Sequence, residues 1–381
     1  MGKKALVYDV HEVPSLGKWL ILSLQHVLAM FGATVLVPML TGLPISVSLI
    51  SAGVGTLIYI LITKGKSPVF LGSSFAFIAP IMSASVIGLG LKSDKVQGYL
   101  NGSLSLKNLG LQGNDLNLLA VTIGLVAVGI VYIIVAVIIK LVGTNWINKM
   151  LPPIVIGPTI MVIGLSLAST AVGMVTTNGG QTPDIKFIIV GLGALLTAIL
   201  VANYTKGIMK LIPIMSGIII GYILGIIFGI VDFTAVREAS WFSLPEFVFL
   251  NKGVYERFAF NQVIEIIIVM VPVALVTISE HIGDHLVLSS IIRKDLTKDP
   301  GLSRTIAGDG IATLTAGLLG GPANTTYGEN TGVVGITKVA SVWVIGGAAV
   351  FALLLGFIGK FTALISTIPQ CVMGGVSMML F

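Results

Sequence analysis

The chain carries acids where acids are expensive. Glu280 and Asp284 close a long apolar run in "QVIEIIIVMVPVALVTISEHIGDH" (262–285), and Glu329 stands among glycines and small polar residues in "GGPANTTYGENTGVVG" (320–335). The i to i+4 spacing puts Glu280 and Asp284 on one helix face. A carboxylate at the centre of a lone spanning helix costs about 2.5 to 3.5 kcal/mol, so each acid calls for a partner or a polar cavity. If Glu280 and Glu329 face one cavity of low dielectric, they resist being ionised together, which makes the pair a candidate proton acceptor. Carboxylates accept hydrogen bonds, whereas the N–H groups at a helix start donate them. A ligand that answers both sets carries N–H donors and carbonyl acceptors on one small uncharged frame, which describes a nucleobase better than an anion.

His281 and His285 form a second i, i+4 pair on a neighbouring face. An intramembrane metalloenzyme could use such a pair, but the order Glu-His-x-x-Asp-His differs from His-Glu-x-x-His and no third ligand is evident, so no metal is expected. Glu265 lies about 22 Å along the helix from Glu280 and reads as solvated near an interface. Asp309 reads as a helix-start residue.

The elements that must position these residues are membrane helices. In 381 residues, 55% are hydrophobic and 10% charged, and the mean hydropathy of +1.03 excludes a soluble domain of this size. A spanning helix needs about 20 mostly apolar residues. That length predicts spans at 16–40, 46–63, 69–91, 117–141, 154–176, 186–202, 211–231, 262–284, 306–320, 325–337 and 341–366, with a twelfth starting near 370 in which the sequence stops. The third and tenth differ from the rest. "GSSFAFIAP" (72–80) and "NTTYGENTG" (324–332) are poor continuous helices. An irregular backbone survives in hydrocarbon only where protein or a water-filled cavity satisfies it. Two such segments seven spans apart suit corresponding positions in two repeats of opposite orientation, the arrangement of a transporter site.

With the N-terminus inside, Lys3, Lys4, Lys18, Lys64, Lys66, Lys140, Lys149, Lys206, Lys210, Arg293, Lys294, Lys298, Arg304 and Lys338 collect on the cytoplasmic side, a majority of the 22 basic residues. This asymmetry accounts for the net charge of +6, and no nucleic-acid motif accompanies it. The single Cys371 forms no internal disulfide, and the N-terminus has no cleavable signal pattern. Residues 92–116 read as a mobile surface loop. Gly221, Gly225 and Gly229 in "GYILGIIFG" make a smooth stripe for close helix approach.

"SLQHVLAMFGATVLVP" (23–38), "LGSSFAFIAP" (71–80), "EHIGDH" (280–285), "KDPGL" (298–302), "NTTYGENTG" (324–332) and "PQCVMGGVS" (369–377) resemble signatures of the nucleobase-ascorbate transporter family, over essentially the whole chain. The resemblance implies an all-α polytopic membrane protein of fourteen helices in inverted seven-helix repeats, with two interrupted helices carrying short extended segments. It implies a core domain from 1–150 and 262–368 and a gate domain from 151–261 and 369–381, the last stretch being the start of the twelfth helix. The implied activity is proton-coupled uptake of uracil across the cytoplasmic membrane, with no cofactor beyond the proton and with a homodimer where the gate is complete. By position, Glu280 and Glu329 would hold the pyrimidine N–H groups and backbone N–H groups at Phe75 and Gly328 would meet its carbonyls. Phe75 and Tyr327 would pack beside the ring, and Gln25, His26, Ser73 and Ser74 would support the site. Some relatives have histidine where this chain has Asp284, which would share the proton with Glu280 and Glu329. Xanthine or another base, sodium coupling, and an anion carrier of the same architecture are the alternatives.

Overall fold

A computed structural model describes residues 6–100, 106, 109–111, 113–143, 146, 153–180, 182–250 and 260–380. The apolar runs form helices α1 (Leu16–Thr41) and α2 (Ile45–Ile62), and the third run gives a strand β1 (Leu71–Ser73), a short turn of helix at Phe75–Phe77 and α3 (Ile78–Val86). There follow α4 (Ser93–Leu100), α5 (Leu118–Val142), α6 (Pro153–Thr177), α7 (Ile185–Tyr204), α8 (Pro213–Ile227), the short α9 (Thr234–Glu238) and α10 (Val263–Ile292). The remainder is α11 (Leu302–Leu319), β2 (Asn324–Thr326), α12 (Gly328–Thr337), α13 (Val342–Gly356), α14 (Gly359–Ser366) and α15 (Gln370–Leu380). Among the described residues α1, α2, α5, α7 and α10 are each long and apolar enough to cross a membrane, and α14 with Gln370–Met379, bent by 79°, is apolar enough to form a broken span or a re-entrant loop. Phe75–Val86, Pro213–Ile227 and Val342–Gly356 are apolar but shorter.

Boundaries are set by local chemistry. Asn117 starts α5, its side-chain oxygen accepting from Ala120 N at 3.1 Å, and Asp184 does the same for α7 through Lys186 N at 2.9 Å. Gly42, in the left-handed region at φ 76°, ends α1 with its N–H on Pro38 O. Four expectations change. The 341–366 span breaks after Gly356, because segment 241–243 takes over its backbone: Ser243 N donates to Phe357 O at 3.1 Å and Gly359 N to Trp241 O at 3.0 Å. Helix α10 continues to Ile292, two turns beyond the expected end. Helix α11 starts at Leu302, directly after Pro300 and Gly301, rather than at 306. The 92–116 loop is partly built structure: α4 lies in it, and buried Tyr99 donates its hydroxyl to Thr41 O at 3.3 Å.

Two sets of helices pack mainly among themselves. In one, α5 lies on α10 and α11, α2 on α11 and α13, and α1 on α13; in the other, α15 lies on α6, α7 and α8, and α7 lies on α6 and α8. At one end of the first set the N-terminal segment runs beside 338–342, with Val7 N on Lys338 O and Val342 N on Val10 O. There Lys294 pairs with Asp9 at 2.8 Å and Lys66 with Asp299 at 2.7 Å. The Lys294 ammonium holds the Asp9 carboxyl below the usual carboxylate range. Both groups are half-exposed, so such a pair contributes at most about 1 kcal/mol.

The glycine stripe of α8 is real but displaced. A Cβ on Gly217 would stand 2.7 Å from Ala194 O, and one on Gly221 would stand 2.8 Å from the Ala194 Cβ and 2.7 Å from Val372 Cγ1. One on Gly225 would meet Pro369 Cγ at 3.1 Å. Gly229 is not part of the stripe: it lies beyond the end of α8 at φ 69° with nothing near it, because the helix stops at Ile227. Gly221→Leu is therefore expected to lower the midpoint of thermal unfolding in detergent by several degrees, whereas Gly346→Ala, whose Cβ would make only ordinary contact at 3.8 Å, should not. Equal midpoints for Gly221→Leu and the parent chain would show that α8 has room on this face.

Candidate substrate site

The site begins with a problem of backbone satisfaction. β1 and β2 pair antiparallel, with Leu71 opposite Thr326, Gly72 opposite Thr325 and Ser73 opposite Asn324. Among the described residues no further strand joins their outer edges, and side chains from two helices serve instead. Thr56 Oγ1 on α2 accepts from Leu71 N at 2.9 Å and lies 3.2 Å from Leu71 O. Thr313 Oγ1 on α11 donates to Asn324 O at 2.6 Å, and Asn324 Nδ2 donates to Ser51 O at 2.6 Å. Gly72 has a steric reason: a Cβ there would stand 2.6 Å from the Tyr327 ring, which lies across the strand. The Tyr327 hydroxyl then donates to Ser73 O at 2.8 Å and accepts from Thr34 at 3.2 Å.

Each strand leads into a helix start, Phe75 on one side and Gly328 on the other. Between them is a cavity of about 300 Å³. Ser73, Ser74 and Phe75 line one wall; Tyr327, Gly328 and Glu329 line another. Glu280 of α10 reaches the same cavity, with Ala76, Thr325 and Thr326 completing its lining. Seven of the nine residues expected to touch or support a ligand, Glu280, Glu329, Phe75, Gly328, Tyr327, Ser73 and Ser74, thus border one space, and Gln25 and His26 do not. Asp284 is half-buried just outside that lining, its Oδ1 3.6 Å from where a Cβ on Gly328 would stand. No cation lies within ion-pair distance of Glu280, Asp284 or Glu329 among the described residues. The charge around the cavity is therefore acidic, while the first N–H groups of α12 have no partner within their own helix.

Gln25 and His26 are both buried on α1. His26 meets the Glu329 helix through a residue that sequence reasoning passed over: Asn330 Nδ2 donates to His26 Nδ1 at 3.1 Å and to His26 O at 3.2 Å. Asn330 sits inside the "NTTYGENTG" motif, so its place next to Glu329 was the available signal. Gln25 Nε2 is buried with no hydrogen-bond partner among the described residues.

The histidines turn away from the acids on the same helix. His285 donates from Nδ1 to His281 O at 2.8 Å, which leaves Nε2 to accept from Tyr59 at 2.7 Å. The two imidazoles stack at 4.1 Å. His281 Nδ1 lies 2.7 Å from Thr326 Oγ1 and 3.2 Å from Asp309 Oδ2. Asp309 is accordingly not a helix-start residue. It lies inside α11 and is fully buried against His281, because the helix begins at Leu302. A tyrosine inside the apolar run of α2 was the one sequence sign of this network. Among the described residues no three His, Cys, Asp or Glu converge on a metal-sized point. Glu265 is exposed in the first turn of α10, as expected.

Residues 17–381 match the model of a permease family. The uracil permease of Bacillus caldolyticus is 47% identical over 98% of this chain and 79% of its own length. The uracil permease of Bacillus subtilis is 45% identical over 100% of this chain and 81% of its own, and that of Escherichia coli K12 is 41% identical over 100% and 80%. Among solved structures, the transmembrane domain of the cyanobacterial bicarbonate transporter BicA superposes with a TM-score of 0.66 over 97% of this chain and 89% of that one, at 16% identity, which shows a common fold. The chain belongs to this permease family, the nucleobase-ascorbate transporters, and is a multi-pass membrane transporter rather than an enzyme.

Proposed function

We propose that the chain is a proton-coupled symporter that imports uracil across the cytoplasmic membrane, the helices of the core moving against those of the gate to open one site to each side in turn. The observation that carries this reading is the meeting of Glu280 and Glu329 at one cavity with the start of α12, in a chain 41% to 47% identical to named uracil permeases. Each glutamate accepts a ring N–H, the Gly328 end of α12 donates to a ring carbonyl, and Phe75 covers the ring. Tyr327 contributes by holding β1 and β2 in register, since its hydroxyl is committed to Ser73 and Thr34. Glu280, Asp284 and Glu329 supply the titratable groups. An anion finds three acids and no paired cation at this place, so the bicarbonate carrier's fold does not bring its ligand with it.

Glu280→Ala and Glu329→Ala are each expected to abolish detectable uracil binding. Each leaves a ligand N–H unpaired in a dry site, which costs about 1 to 3 kcal/mol, and opens the cavity as well. Radiolabelled uracil binding to purified protein, in competition with thymine, xanthine and hypoxanthine, is the measurement. Uracil displaced more readily by xanthine would change the substrate, and retained binding in either variant would remove that glutamate from the site. Uptake into vesicles should follow an inward proton gradient and collapse with a protonophore. Uptake that follows sodium instead would replace the coupling ion.

Asp284→Asn separates binding from coupling. The amide keeps size and hydrogen-bonding capacity but cannot titrate, so binding should survive while proton-driven accumulation falls and its pH dependence flattens. Binding and uptake measured on one preparation across pH decide it. Parental values of both at every pH would leave the proton to the two glutamates.

A further inference from the structure

Beside the main cavity lies a smaller one of about 200 Å³, and Glu329 borders both. Its other walls come from both sets of helices: Ala29 on α1 and Gly332 and Ile336 on α12 from one, Ile214 at the start of α8 from the other. Lys210, just before α8, also lines it and is the only cation among the described residues on the lining of either cavity. The walls are otherwise apolar. Ile214 fills the hollow left by Gly32 on α1, where any Cβ would overlap it, and so closes the space between α1 and α8. At Gly332 the reverse holds: an added Cβ would meet nothing within 4 Å, so this position looks into open space.

We propose that this smaller cavity is a second binding position for the same planar uncharged heterocycle, occupied in transit between the Glu280–Glu329 cavity and the Lys210 face of the membrane; it rests on the nucleobase reading above. Its chemistry matches that ligand class. Glu329 accepts a ring N–H from either side of its carboxylate, Lys210 donates to a ring carbonyl, and the apolar walls cover the two faces of the ring. A shared acid lets the ligand pass from one position to the next without losing its last hydrogen bond. Since the walls belong to both packing sets, the second position exists only while the two sets are disposed as here, whereas the first lies wholly on one of them.

The test uses two variants of the whole chain in proteoliposomes with radiolabelled uracil, equilibrium binding being measured beside uracil exchange. Gly332→Leu puts bulk into the smaller cavity at a position where the Cβ itself meets no neighbour within 4 Å, and Lys210→Met removes its donor. Both should bind with a Kd within about twofold of the parent, while exchange slows about tenfold or more in Gly332→Leu and about threefold in Lys210→Met. A further measurement exploits the single native cysteine, Cys371, which is buried. In Gly332→Cys, N-ethylmaleimide should alkylate the introduced thiol, and uracil should slow that reaction. Parental exchange in Gly332→Leu with binding intact overturns the second position alone. Lost binding in Gly332→Leu also overturns it, by showing one cavity rather than two. A parent chain that neither binds nor exchanges uracil overturns the nucleobase reading and this inference with it.

Discussion

The structure turns on a rule of hydrocarbon: every backbone N–H and C=O within the membrane must be satisfied by protein or by a wet cavity. A helix meets the rule alone, but two three-residue strands cannot. β1 and β2 meet it by pairing with each other and by borrowing Thr56 from α2 and Thr313 from α11, while Ser51 O of α2 accepts from the Asn324 side chain. Those loans determine what else is near. They draw α2 and α11 against the strands, which is why both helices are polar on that side and why Gly55 must lack a side chain, a Cβ there standing 2.7 Å from Asn324 Nδ2. With the strands fixed, the helix starts at Phe75 and Gly328 face the same cavity. The acids come second, filling a polar space that backbone geometry has already made.

Charge then decides what such a space can hold. The bicarbonate carrier shares the fold at 16% identity, so the architecture by itself does not choose a ligand. In this chain the choice is made by one helix that presents different chemistry on adjacent faces. Glu280 and Asp284 turn toward the cavity region, while His281 and His285, one position on, stack against Tyr59, Thr326 and Asp309. The buried histidines thereby tie α10 to α2, α11 and β2 and set the angle at which Glu280 enters the cavity.

Much of this was legible in the residues. Hydropathy alone found the runs that form α1, α2, α5, α7 and α10, since a membrane helix of about 20 residues is a long signal, and the interruptions at 72–80 and 324–332 were marked by small polar residues that a continuous helix does not favour. The two glutamates stood out because ionisable groups in apolar runs are costly. What failed was local. Asp309 was misplaced by starting α11 at 306, although Pro300 and Gly301 are the stronger punctuation, and a shift of one turn changes a cap into a buried partner. Gly229 joined the stripe because four-residue spacing continues past a helix end that it does not mark. The break after Gly356 depends on hydrogen bonds from residues 241–243, more than a hundred positions earlier, and no local pattern encodes that. Asn330 and Tyr59 needed their partners' positions before their roles could be seen.

The distribution of lining residues bears on how a site can stay intact while access to it changes. Every residue around the larger cavity lies on β1, the Phe75 turn, α10, β2 or α12, elements joined by strand pairing, by the His281–Thr326 contact and by α10 packing on α12. Displacing α6, α7, α8 and α15 as a unit would break none of these bonds. The smaller cavity is different, because Ile214 and Lys210 precede or begin α8 while Ala29, Gly332 and Ile336 belong to α1 and α12. The same displacement necessarily reshapes it. Glu329 borders both spaces, the one lined by a single set of helices and the one lined by both.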